Sequence, residues 1–370
     1  MNYLPMAKSL IAEVVGPVTI LLCVLSDARP DTPQPRVKLG PWAGDLKVGQ
    51  GMNAAGRNLR GSEFVGQELA DAVFDRCDLS GVHFWDCNLS RASFRGADLS
   101  KASLDECPSI RDADFTDAVI TGLAGDFSLT PKQLQSTHSY KIKDLRGCFL
   151  ISAYDPRAPT AAPTYDFRGA KLDGARLSYG DFRNCDFTDA TIDRVTFYGG
   201  RMTFAQIAST KSFQCRSLRR MDFALLLEGE QDFFEIDLTG TRLGPGSGTR
   251  PRFQNAIIRD CTVGRDFRKE DLYSTRDYQK GHLRGISFLE VDMCRWDLAR
   301  QNLTGCRFAG CALTHADLTD AIITDVRIEH GRHRVTGLTA EQIKSTWNYK
   351  HNRMDGIVLP KELAEQLKAK

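Results

Sequence analysis

From Leu59 onward a large apolar residue recurs at every fifth position: Leu59, Phe64, Leu69, Phe74, Leu79, Phe84, Leu89, Phe94, Leu99 and Leu104. After a one-residue slip the series resumes at Ile110, Phe115 and Ile120. Two positions before most of these stands a small or compact residue, as at Ala72, Cys77, Val82, Cys87, Ala92, Ala97 and Ala102. The position just before is often acidic or an amide, as at Asp78, Asn88 and Asp98. An α-helix would spread residues five apart over diverging faces, and a flat strand would put successive members on opposite faces. The period therefore calls for a backbone that turns a corner every five residues and sends one large and one small side chain inward from each side. Four sides make a coil of about 20 residues, and coils stacked at about 4.8 Å would place Leu or Phe over Leu or Phe in continuous columns.

The series returns at Phe167, Leu172, Leu177, Phe182, Phe187, Ile192, Phe197 and Met202, then in a broken form at Phe233, Leu238, Leu243, Phe253, Ile258 and Val263. It returns again from Leu283 to Ile328. Segments such as Ala97-Asp-Leu-Ser-Lys101 and Ala316-Asp-Leu-Thr-Asp320 resemble the A-(D/N)-L-x-x unit of the pentapeptide-repeat family. The resemblance runs over most of the chain from Leu59 to Leu359. It implies an all-β solenoid, a right-handed quadrilateral β-helix, which is expected over residues 57–359.

A longer motif is superimposed. Residues 129–150 (LTPKQLQSTHSYKIKDLRGCFL) and 338–359 (LTAEQIKSTWNYKHNRMDGIVL) are alike, with looser copies at 202–223 and 267–288. Thr130 with Gln133, Thr203 with Gln206 and Thr339 with Gln342 have the spacing of capping boxes, so a short helix is expected in each. The third copy has Arg268 and Asp271 there and a less defined start. In every copy a large apolar residue follows the Ser-Thr pair in the same register: Leu145, Leu218, Leu283 and Met354. The copies recur at about three coils' length, as helical insertions in the solenoid. Their plainest role is architectural, because nothing polar within the motif calls for a partner. The sharper alternative is a row of helices forming a ligand surface. Residues 360–370 are expected to form a C-terminal capping helix, and residues 29–56 a linker and N-terminal cap that includes Trp42. Residues 151–164, 224–232 and 244–252 interrupt the series and are expected as loops.

The first 28 residues belong to a different category. Lys8, the apolar run Val14–Leu25 and the small-x-small site Ser26-Asp-Ala28 follow the order of a secretory signal peptide. Export to the periplasm or exterior is the expectation, with an uncleaved membrane anchor as the alternative. No stable membrane insertion of the mature chain is expected. Charge changes the picture mainly by exclusion: 49 Lys+Arg against 47 Asp+Glu leave a net +2. Nucleic acid is not an expected partner. Some members of the resembled family mimic DNA and bind gyrase, but that role needs an anionic rod, which a net charge of +2 disfavours.

The eleven cysteines form no C-x-x-C pair, and most occupy the small inward position: Cys77, Cys87, Cys148, Cys185, Cys261, Cys306 and Cys311. A buried Cys acts as a small hydrophobe. Cys87 and Cys107 are 20 residues apart, so they would stack one coil apart at a spacing a disulfide could span. Side chains parallel along a column nonetheless meet poorly. Unpaired thiols sit awkwardly with export. Glu329, His330 and His333 have the composition of metal ligands, but the flanking arginines favour a solvated turn. The Gly-rich segment from Gly244 to Arg252 lacks the ending of a phosphate loop. No catalytic, cofactor-binding or metal-binding residue is assigned, and no cofactor. The function expected is a non-catalytic structural or interaction protein whose rigid rod faces an unknown protein or envelope component.

Overall fold

The computed structural model describes residues 34–107, 110, 112–125, 129–151, 164–178, 181–243, 251–333 and 335–368. The expected signal peptide, most of the Pro/Ala-rich loop and most of the Gly-rich segment lie outside the described residues.

Pro35–Lys370 forms one unit, a right-handed quadrilateral β-helix. A short strand β1 (Arg36–Lys38) lies antiparallel to β2 (Glu63–Val65) over the first coil. Beyond it the pairing is parallel, at the interval the five-residue period demands. Phe64 pairs with Phe84 and Phe84 with Leu104 through β2, β3 (His83–Trp85) and β4 (Ser103–Asp105). On the neighbouring side Asn58, Asp78 and Asp98 bridge in the same way. The column that begins at Leu59 continues through Leu79, Leu99, Ile120, Leu145, Leu172, Ile192, Leu218, Leu238, Ile258, Leu283, Leu303 and Ile323, each at most 1% exposed. Phenylalanines stack within their columns at the coil spacing: Phe64 on Phe84 at 5.1 Å, Phe74 on Phe94 at 5.2 Å and Phe94 on Phe115 at 5.1 Å between ring centroids.

The four sides are not equivalent. Regular strands occupy the Phe64 side, where β5 (Phe149–Ile151), β6 (Arg176–Ser178), β7 (Thr196–Thr203) and β8 (Asp222–Glu228) form one parallel sheet. Strands β9 (Thr262–Val263), β10 (Ser287–Leu289), β11 (Arg307–Ala309) and β12 (Arg327–Glu329) form another. The expected loop over 224–232 is partly a strand. β7 and β8 run on past their corner, with a register irregularity between Tyr198 and Arg201, and pair again from Arg201↔Leu226 to Thr203↔Glu228. The backbone at the corners is left-handed, at Gly61, Gly66, Asp71, Arg76, Gly81, Asp86 and Arg91 in succession. Glycine takes that conformation freely and other L-residues at a penalty of roughly 1–2 kcal/mol. Where the ruler loses its large residue, Gly125 lies over Leu104, and a Cβ there would sit 2.1 Å from the Leu104 carbonyl oxygen.

The long motif folds as a pair of short helices in all four copies: α1 (Pro131–Ser136) with α2 (His138–Lys141), α3 (Phe204–Ala208) with α4 (Lys211–Gln214), α5 (Lys269–Tyr273) with α6 (Arg276–Gln279), and α7 (Ala340–Lys344) with α8 (Trp347–Lys350). The first helix is the expected one; the second was not foreseen. Thr130, Thr203 and Thr339 close reciprocal boxes with Gln133, Gln206 and Gln342. In the third copy only half of that arrangement persists, with Asp271 accepting from the Arg268 amide at 2.9 Å. The buried Thr137, Thr210, Thr275 and Thr346 cap the second helices.

All four pairs sit on the same side of the coil. The amides of Asp117, Asp189, Asn255 and Asp320 donate to the carbonyls of Ser136, Ser209, Ser274 and Ser345, the same place in each pair. Each pair occupies the side of the Phe74 column, opposite the strands, and turns the corner back into the Leu59 column. It does so in every third coil, between Ile120 and Leu145, Ile192 and Leu218, Ile258 and Leu283, and Ile323 and Met354. At the far end α9 (Lys361–Lys368) buries Leu363 against the core. Trp42, near the other end, is 63% exposed while its neighbour Ala43 is buried.

Candidate interaction surface

The five-residue ruler does not stop at the helices. It runs through Leu129, Leu134 and Ser139, through Met202, Ile207 and Ser212, through Phe267, Leu272 and Asp277, and through Leu338, Ile343 and Asn348. The third member of each series is polar yet 0%, 6%, 0% and 1% exposed, respectively. Its side chain does what a strand carbonyl does elsewhere. The Ile120 amide donates to Ser139 Oγ at 2.9 Å and the Ile192 amide to Ser212 Oγ at 2.9 Å. The Ile258 amide donates to Asp277 Oδ2 at 2.8 Å and the Ile323 amide to Asn348 Oδ1 at 2.7 Å. A helix turns its own carbonyls along its axis, so the coil beneath would otherwise keep an unpaired buried N–H. The helix-cap glutamines serve the opposite group: Gln133 Nε2 donates to the Ile110 and Ala113 carbonyls, Gln206 to those of Phe182 and Cys185, and Gln342 to those of Leu313 and Ala316.

The coil above is met by tyrosines. Tyr140 Oη accepts from the Asp166 amide at 3.0 Å, and Tyr278 Oη donates to the Asp297 carbonyl at 3.0 Å. The motif's aromatic residue at 140, 213, 278 and 349 was expected against the coil edge, but the roles of the four buried polar residues and of the glutamines were missed in the sequence, where the motif's polar residues called for no partner. For Ser139, Ser212, Asp277 and Asn348 the signal was their place on the ruler, five residues after a buried apolar one.

The outer edge of each pair is open to solvent. Exposed there are His138, Lys141 and Ile142, then Lys211 and Cys215, then Gln279 and Lys280, then Trp347, Lys350 and His351. Lys141 and Lys350 reach down to Asp117 and Asp320 at 2.6 and 2.7 Å. Elsewhere ion pairs also run mostly between neighbouring coils, as in Arg91–Asp71, Arg95–Asp114 and Arg219–Asp237. The Arg146 guanidinium holds the Asp144 carboxyl below its usual range, and Arg183 does the same for Asp181. Asp193 shifts the other way, raised by burial and by Asp173 in the coil beneath.

Among the described residues ten cysteines are free thiols, eight of them buried. Burial pushes Cys77, Cys185 and Cys311 up to about 11 and Cys148 and Cys306 up to about 12. Cys87 and Cys107 stack as expected but as thiols in contact, and the Cys87 thiol together with burial pushes Cys107 up. The three residues weighed as metal ligands turn to different neighbours. Glu329 pairs with Arg307 at 2.5 Å, His330 Nδ1 accepts from the Val335 amide, and His333 lies 4.0 Å from Glu290. Among the described residues no group of three or more His, Cys, Asp or Glu converges as a metal site, and no helix is long and apolar enough to cross a membrane. A shallow open depression of about 330 Å³ lies beside α3, lined by residues including Arg183, Asp186 and Gln206.

The family model described as pentapeptide repeats matches eight copies, at residues 53–86, 72–108, 86–122, 166–203 and 297–329. No curated protein matches the chain. Among solved structures, a trypsin-treated variant of QnrB1, a plasmid-mediated fluoroquinolone resistance protein, is similar at 14% identity over 80% of this chain and 91% of that one, with a TM-score of 0.16. HetL of the cyanobacterium Nostoc, a pentapeptide repeat protein involved in heterocyst differentiation regulation, is similar at 16% identity over 80% and 86%, with a TM-score of 0.14. Superpositions that loose carry no argument about partners.

Proposed function

The chain belongs to the pentapeptide-repeat family, whose fold is structural rather than catalytic, and on that premise we propose that it is an exported, non-catalytic rod whose helix-bearing side meets a macromolecule of the cell envelope. The observation that carries this reading is the division within each helix pair. The inner polar groups are committed to the coils above and below, whereas the outer edge keeps Lys211, Lys280 and Trp347 exposed. A rigid scaffold that repeats an outward edge at fixed intervals suits contact with an extended partner.

Export rests on the order of Lys8, the Val14–Leu25 run and Ser26-Asp-Ala28. The burial of eight thiols eases the conflict with an oxidising compartment, because seven of them are held above the ordinary thiol pKa and offer little thiolate to attack, while Cys87 is lowered by its contact with Cys107. The alternative of a DNA mimic acting on a DNA-handling protein such as gyrase would need a continuous anionic face. Here carboxylates alternate with arginines, as in Asp71–Arg91 and Asp114–Arg95.

The test places a photo-crosslinking residue at Lys211 on the helix side or at Arg307 on the strand side of the full chain in native cells. Adducts from position 211 alone, on a processed chain outside the cytoplasm, are expected. A full-length chain retained in the cytoplasm would remove the export claim, and adducts from position 307 alone would remove the helix side.

A further inference from the structure

The second helices share a property in all four copies. Their outward side chains include cations and no carboxylate: His138 and Lys141 on α2, Lys211 on α4, Arg276 on α6 and Lys350 on α8. The one acid among them, Asp277, is buried. The other acids of this side lie in the coil beneath each pair, such as Asp117 and Asp320, or on the first helices, as Glu270 on α5 and Glu341 on α7, where Lys269 and Lys344 pair with them. Because the pairs enter at the same place in every third coil, the cationic rungs form a straight row. Their spacing is about 14 Å and the row about 45 Å long, at about 4.8 Å per coil.

The row is a ridge, since each helix-bearing coil carries extra residues on this side. Isolated apolar groups stand along it: Ile142 at 56% exposed, Phe234 at 39% and Trp347 at 37%. A groove or pocket is what a peptide or small ligand needs. A straight ridge with cations on every rung and single interfacial side chains near both ends fits a planar anionic surface, which all rungs can reach together. An acidic polypeptide would satisfy the cations but offers no common plane for Ile142 and Trp347.

We propose that the helix row docks flat on an anionic lipid bilayer, with the cations at the headgroups and Ile142 and Trp347 at the interface. This rests on the helix-side reading above and names its partner. The test mixes the full chain with phosphatidylcholine vesicles, with or without about one-third phosphatidylserine, and reads amide hydrogen exchange at the four second helices. Local protection is the readout because residues 1–28 could bring the chain to either vesicle alike.

Protection with anionic vesicles only is expected, diminishing with salt. The triple variant Lys211→Gln, Arg276→Gln, Lys280→Gln removes three cations for which no ion pair is seen. At roughly fivefold per cation, it should lower the anion-dependent affinity by about 100-fold at an unchanged melting temperature. Equal protection on neutral vesicles, or an unaffected variant, would overturn the proposal. So would stronger protection by soluble polyglutamate than by vesicles, which would assign the row to an acidic polypeptide. A failure on lipid combined with protein adducts at position 211 would leave the helix-side reading standing.

Discussion

Replacing Ser139 by Ala isolates the contribution of one borrowed acceptor. The side chain is fully buried and its oxygen accepts the Ile120 amide at 2.9 Å. Removing that oxygen changes little volume but leaves a buried N–H without a partner, which typically costs about 1–3 kcal/mol. Alanine is the better helix former, by about 0.5 kcal/mol, and that gain acts in the opposite direction. The expected net loss is therefore about 0.5–2.5 kcal/mol, concentrated where α2 meets the coil below. A solenoid opens locally, so hydrogen exchange at the Ile120 amide is the sensitive assay. It should accelerate by roughly 2- to 70-fold, at 1.4 kcal/mol per decade, while the Ile192 amide, held by Ser212 in the next pair, stays unchanged. Ser136→Ala serves as the control. Its hydroxyl donates to the Gln133 carbonyl in the same helix pair, and its loss leaves no buried donor unpaired. Unchanged exchange at Ile120, or an equal effect from Ser136→Ala, would refute the account of the polar residue as a stand-in carbonyl.

Leu303→Asp places a carboxylate in the Leu59 column at a fully buried site and should lower stability by at least about 4 kcal/mol, from lost packing and charge burial together; an unchanged thermal melt would contradict the inward assignment. Asp193→Asn should stabilise the chain at neutral pH. The folded-state pKa of Asp193 is raised by burial and Asp173, so its ionised form is disfavoured on folding, and the gain should shrink as pH falls through the carboxylate range. Urea midpoints at pH 7 and pH 4 measure this, and a gain that grows on acidification would reverse the sign. Among the described cysteines, only Cys215 and Cys294 are exposed, so native labelling with a maleimide should modify those two promptly and the others only on unfolding, as mass spectrometry of tryptic peptides would read.

The apolar columns were legible because one physical requirement, burial every fifth residue, fixes both the sequence period and the corner geometry. Leu59 through Ile120 are buried where the ruler puts them. The helix starts were legible for a local reason, since Thr130 with Gln133 is a contact within four residues. The second helices escaped because four residues carry almost no periodic signal, and they exist through tertiary bonds such as that from the Lys211 amide to the Ala190 carbonyl. The alignment of the four pairs on one side was illegible for another reason. It depends on the phase of each insertion in the coil, and one-residue slips and loops between Leu104 and Leu172 obscure that count. The outer edge of the helix row could be read residue by residue, but its straightness could not.

Coil register poses a problem that the apolar ruler cannot solve alone. A strand that slips by five residues presents Leu or Phe inward again, so the columns are nearly degenerate under such a slip. Charge supplies the missing distinction. Residues 194–221 contain Arg194, Arg201, Lys211, Arg216, Arg219 and Arg220 and no acid, whereas residues 222–237 contain Asp222, Glu228, Glu230, Asp232, Glu235 and Asp237 and no cation. The next coil returns to cations, and the ion pairs join neighbours: Arg219–Asp237, Arg242–Asp222 and Arg252–Asp232. Each exposed pair contributes little to stability, about 0–1 kcal/mol. Their combined effect is selective instead, because a misplaced coil would lose several pairs at once or set like charges opposite each other. A net charge of +2 conceals this alternation entirely. The same banding explains why the chain can carry cations along its helix row without becoming a basic protein: the compensating carboxylates lie in the coils between, where they hold the register.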